Sequence, residues 1–160
     1  MKLKKMFKNF GLEKIQLGPK WASAEISFQT PDRDAAWELY IEMLTRIVTQ
    51  PLPVEAGDEK TALDSVYSLF PTSREILRRR GRGAIQFSKV AVPVLNQVVR
   101  AFTAKWHQES LAGAFDEETK RKEFREELEA LQEELRNYNR MLAKIADVED
   151  LTDLERVEGK

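Results

Sequence analysis

His107, the only histidine among 160 residues, follows Arg100 by seven positions. Imidazole exchanges protons near neutral pH, and a guanidinium grips phosphate through paired N–H groups. Together they suit acid–base chemistry on a phosphodiester. Seven residues along an α-helix return to nearly the same face, with Cα atoms about 10.5 Å apart, so the two side chains would meet only on a shared ligand. They also belong to a longer pattern. Asn96, Arg100, Thr103 and His107 recur at 4-3-4 spacing, one position after the apolar series Leu95, Val99, Phe102 and Trp106. A polar stripe beside an apolar one lies at the margin of a core. There it can pair with acids of a neighbouring helix and fix its register, and Asp34, Glu38, Glu42, Glu127 and Glu134 are available for that role. Anion binding and catalysis are the alternatives.

The spacing of Arg100 and His107 resembles the Arg-x(4–6)-His pattern of HEPN-type ribonucleases. That resemblance implies a helical domain with a metal-independent site composed across a dimer. Arg100 would hold phosphate and His107 would serve as acid or base. Ala101 departs from the pattern, which favours a polar residue after the arginine. The segment "VLNQVVRAFTAKWH" is also similar to one in small uncharacterised bacterial helical proteins encoded near defence or conflict systems. This second resemblance implies an accessory subunit of such a system and carries no activity.

A further group, Arg74, Arg78, Arg79, Arg80 and Arg82, lies in "REILRRRGRG", with Lys89 seven residues beyond. Arginine forks match phosphate geometry, and glycine lets a backbone come close, so the group suits RNA, DNA or a nucleotide anion. It equally suits a solvated helix end or pairing with the acidic last helix. No aromatic residue interleaves the arginines locally, as single-strand stacking would require. Charge falls in blocks: residues 1–20 carry +5, 21–73 carry −6, 74–107 carry +7 and the remainder −7. Two basic zones are therefore available to an anionic partner, while the net charge of −1 argues against a dedicated duplex binder.

Several classes are disfavoured outright. Without cysteine there are no disulfides, thiolate nucleophiles or cysteine metal sites, and one histidine makes a dedicated metal site improbable. "GRGAIQF" lacks the Lys-Ser/Thr of a phosphate loop, and no serine sits in a nucleophile elbow. No cofactor is expected, and an enzyme is the less favoured reading. The longest apolar stretch is broken by Lys89, Pro93, Asn96 and Arg100, too soon for a membrane span. "MKLKKMFKNFG" is basic without a long apolar core, so the expected location is cytoplasmic. Leu3, Met6, Phe7 and Phe10 do share a helical face among lysines, which makes contact of residues 1–10 with anionic lipid an alternative to docking on the core.

The elements that must position these residues are mainly α-helical. Alternation in "WASAEISFQT" after Gly18-Pro19 predicts a short N-terminal β-hairpin with Lys14–Leu17. Thr30-Pro31-Asp32 starts a helix to about Thr49; Asp58 caps a second, with Leu63, Val66, Tyr67 and Phe70 apolar. Pro71 breaks or kinks it before a short helix that ends in a loose "RRRGRG" turn. A long helix over Ile85–Leu111 bends at Pro93. Phe124, Leu128, Leu131, Leu135, Tyr138, Leu142 and Ile145 then run at unbroken 4-3 spacing, a three-heptad seam that would pack on the core or form an oligomer interface. Trp21, Trp37 and Trp106 read as core anchors. The expected whole is an antiparallel helical bundle: a core over 1–113 with the hairpin, a coiled-coil-like helix over 114–146 and a frayed acidic tail over 147–160. Its expected function is non-enzymatic assembly, by self-association or with a partner protein; nucleic acid is the alternative ligand.

Overall fold

The structure, a computed structural model, describes residues 1–156, so the last four residues of the expected tail lie outside the described residues. The chain is mainly α-helical. Its helices are α1 (Leu3–Asn9), α2 (Pro19–Ala22), α3 (Thr30–Leu44), α4 (Glu59–Tyr67), α5 (Leu69–Arg80), α6 (Ile85–Pro93), α7 (Arg100–Leu111) and α8 (Glu118–Ala146).

The expected hairpin is not formed. Pro19 opens the single-turn helix α2, because its fixed φ suits a first helical position better than a strand. The alternating segment after it contributes only an isolated antiparallel bridge, Glu25 to Lys2. Ile26 is buried while Ser27 and Gln29 face solvent, so the alternation reflects an extended segment with one covered side. α1 docks on the core by Leu3, Met6 and Phe7, all buried. Its apolar face is therefore unavailable to lipid, and only its lysines remain outside.

α3 is stapled at its start by Asp32, which is fully buried. One carboxylate oxygen accepts from the Gln29 N–H at 2.8 Å, and the other accepts from the Phe87 N–H at 2.8 Å near the start of α6. One side chain thus satisfies orphan donors of two helices. α3 and α8 run in opposite directions. Arg33 lies 3.8 Å from Asp147 at one end, and Gln132 donates to the Ile47 and Gln50 carbonyls at the other, both at 2.7 Å.

All seven residues of the 4-3 series on α8 are buried within the single chain. The oligomer interface expected of them is instead an internal seam, because α3 and the segments around it already fill the groove that a second copy would need. Beyond α8 the chain does not fray at once. Asp147 takes a left-handed conformation (φ 59°), and the strap that follows is tied back by polar groups. The Leu151 N–H donates to the Tyr40 hydroxyl at 2.5 Å, Asn139 donates to Thr152 at 3.2 Å, and Arg140 forks onto Asp153 at 2.7 and 2.9 Å. Leu154 stays mostly exposed, so the strap is held by hydrogen bonds rather than by apolar docking.

The expected long helix is continuous in path but changes winding. α6 ends at Pro93, Val94–Val99 is a π-helical segment, and α7 follows directly. Pro93 has no N–H to offer the Lys89 carbonyl, and the wider winding begins at the next residue. The "RRRGRG" turn is a tight 3₁₀ turn, Gly81–Ala84. Gly81 has φ +67°, and a Cβ on Gly83 would come within 2.8 Å of Pro31, so both positions need glycine for stated reasons.

Candidate nucleic-acid interface

Four of the five acids expected to partner the polar stripe are engaged elsewhere. Glu38 of α3 pairs with both Arg79 and Arg80, Asp34 lies 3.5 Å from Arg80, and Glu42 pairs with Arg46. Glu127 of α8 takes Lys105, and its second oxygen accepts from the Trp106 indole N–H at 2.9 Å. α7 therefore turns Phe102, Lys105 and Trp106 toward α8, while Arg100 and His107 face α4 and α5. Burial works against the Glu38 carboxylate, but hydrogen bonds and charge from Arg79 and Arg80 prevail and hold its pKa below the usual 4.5. A carboxyl group with a depressed folded-state pKa stabilises the fold above its unfolded value and loses that contribution as pH falls through the folded one. Glu38→Gln should therefore lower the urea midpoint at pH 7 and flatten its decline below about pH 4.5. An equally steep acid limb in the variant would refute this account.

What meets the polar stripe is aromatic. The Arg100 guanidinium lies 4.6 Å from the centre of the Phe70 ring, and Arg74 of α5 reaches the same ring at 5.8 Å. Tyr67 sits 5.6 Å from Phe70 and meets the His107 ring edge-on at 5.1 Å. Asn96 accepts from Arg100 at 3.4 Å, and buried Thr103 bonds the Arg100 carbonyl, also at 3.4 Å. Cation–π contact orients a guanidinium plane parallel or oblique to a ring without consuming its N–H donors. Arg74 and Arg100 have no carboxylate within ion-pair distance among the described residues, and Tyr67 is 45% exposed.

The structure thus divides the five-arginine group. Arg79 and Arg80 are structural, clamping α5 to α3. Arg74, Arg78 and Arg82 have no ion-pair partner among the described residues, and Arg74 joins the polar stripe across Phe70. Lys89 lies apart, 5.3 Å from the Trp21 ring. Tyr67 and Phe70 supply the aromatic element missing from the arginine-rich segment itself. No periodicity could have singled out Tyr67, because it fits the apolar face of α4 as well as Val66 does. Trp21 and Trp37 are likewise not core anchors: they are 41% and 44% exposed, and only Trp106 is buried.

Arg100 and His107 do not touch. Arg100 rests on Phe70 and His107 on Tyr67, and no hydrogen bond joins the two side chains among the described residues. A surface cleft of about 740 Å³ lies between the residues after α3, the middle of α8 and the strap, and neither Arg100 nor His107 lines it. Among the described residues no helix is long and apolar enough to cross a membrane. No family model matches this chain, and no curated protein or solved structure matches it at a significant level.

Proposed function

We propose that this protein is a non-enzymatic binder of single-stranded nucleic acid, built on an antiparallel helical bundle. One observation carries the reading: Arg74 and Arg100 converge on Phe70, unpaired with acids, beside a half-exposed Tyr67. Phosphates would take the guanidinium forks, and bases would stack on the Tyr67 ring and on the outer plane of Arg100. Asn96 and His107 flank the arginines with further polar groups. Duplex binding is disfavoured by the acidic balance of the whole chain.

The assembly reading loses its expected interface to the internal seam of α8. The ribonuclease reading keeps both residues but lacks their convergence, and it would need a second chain to bring another His107 to Arg100.

Anisotropy titration of a labelled oligothymidylate tests the proposal. Affinity should fall steeply with salt. Tyr67→Ala should cost about 1–3 kcal/mol, roughly 5- to 150-fold. Arg74→Ala with Arg100→Ala should weaken binding further and lower the salt slope by about 1 to 2. Binding untouched by all three changes, or no binding at low salt, would end this reading. Cleavage of the oligomer in metal-free buffer that needs Arg100 and His107 would replace it with the ribonuclease.

A further inference from the structure

Two basic blocks far apart in the sequence, residues 1–20 and 74–107, meet in the fold. The join is specific. The Gln97 side chain, in the π-helical segment, accepts from the Gln16 N–H at 2.8 Å and donates to the Gln16 carbonyl at 2.7 Å. A side-chain amide that closes both bonds on the backbone N–H and carbonyl of one residue fixes that segment as a strand partner would. Asn96, the neighbour of Gln97, bonds Arg100. On the other side, Trp21 is flanked by Lys20 at 4.9 Å and by Lys89 of α6 at 5.3 Å. α1 leans on α2, and Lys4, Lys5 and Lys8 are exposed with no ion-pair partner among the described residues.

From these contacts we infer that the α1–α2 lysines and Trp21 form a second contact zone for the same single strand that the Arg74–Arg100 patch holds. This rests on the function proposed above and deepens it, because it makes the ligand a strand long enough to span both zones. Like charges brought together and left unpaired raise the local potential, and a polyanion relieves it by releasing its counterions. Trp21 adds an apolar ring of the kind on which a base or sugar can rest once one lysine moves to a phosphate. The buried apolar face of α1 removes the insertion surface that a bilayer would use, so a strand fits this zone better than a membrane.

Oligothymidylates of about 6 and about 20 nucleotides separate the two zones, since single-strand-binding OB folds cover about 4–16 nucleotides each and the two lengths fall near either end of that range. The full chain should bind the longer strand at least tenfold more tightly than the shorter. The triple variant Lys4→Gln, Lys5→Gln, Lys8→Gln changes only exposed side chains. It should lose most of that advantage, lower the salt slope for the long strand by about 2, and leave short-strand affinity within twofold. Long-strand affinity unchanged in the triple variant would overturn the inference while leaving the Arg74–Arg100 reading intact. Short-strand binding indifferent to Arg74→Ala and Arg100→Ala would instead remove the parent reading. Capture by phosphatidylglycerol vesicles that needs these lysines, without any length effect on the oligomers, would assign the zone to a membrane and overturn the inference as well.

Discussion

Trp106→Ala should destabilise the protein by about 3–5 kcal/mol, a large share of the roughly 5–15 kcal/mol typical of a single domain. Trp106 is fully buried. Its ring stacks on Phe115 at 6.0 Å and meets Phe124 edge-on at 5.1 Å, while Phe124 also contacts Phe102 at 5.4 Å. Removing the indole opens a cavity at the point where α7, the turn before α8 and α8 itself come together. It also strips Glu127 of the indole donor, leaving Lys105 as that carboxylate's remaining partner. Trp106→Phe keeps most of the ring contact and loses the hydrogen bond, so it should cost less, about 1–2 kcal/mol. Urea unfolding followed by circular dichroism measures both. Equal losses in the two variants would mean that the hydrogen bond, not the aromatic packing, dominates.

Asp32→Ala ranks second. It removes two hydrogen bonds from a fully buried carboxylate and strands the Gln29 and Phe87 N–H donors at the starts of different helices. An unsatisfied buried donor costs about 1–3 kcal/mol. The Phe87 N–H is the buried one of the two, while the Gln29 N–H can turn to water, so a loss of about 2–4 kcal/mol is expected once the lost cap is included. Asp32→Asn retains one acceptor and turns an NH₂ toward a donor, so it should recover less than half of that loss. Hydrogen exchange gives the sharper readout. The Phe87 amide should lose protection in both variants, and unchanged protection there would show that α6 holds its start by other means.

Helix identity was legible wherever periodicity and caps agreed. Asp58 caps α4 by accepting from the Thr61 N–H at 2.7 Å, and the 4-3 series on α8 is the buried face it promised to be. What the spacing left open was the partner of that face, since a narrow seam with charged flanks serves a neighbouring helix of the same chain as well as another copy. The hairpin failed because alternation marks one covered side, and an extended segment on a helical core has that without pairing. On α7, Arg100 is exposed and His107 half-buried beside the buried Phe102 and Trp106, while Thr103 between them is buried. The neighbours of its polar side were not readable: Pro93 announces an irregularity in the long helix, but not that it takes the form of π winding over Val94–Val99. Trp21 and Tyr67 look apolar by type; only the fold shows how much of each ring remains outside.

The α3–α8 pairing also has a consequence for the order in which the chain can be completed as it is synthesised. Leu39, Tyr40 and Met43 of α3 are buried largely by a helix that begins more than seventy residues later, and the Tyr40 hydroxyl waits for Leu151. Until those residues leave the ribosome, a growing chain carries α3 with its apolar side uncovered, a state prone to aggregation or chaperone capture. Arg74, Arg100, Phe70 and Tyr67 belong to α4, α5 and α7, which are complete by residue 111. The basic surface therefore emerges before the scaffold that fixes it. Pausing translation after α7 should yield nascent chains that already attract polyanions but remain protease-sensitive across α3.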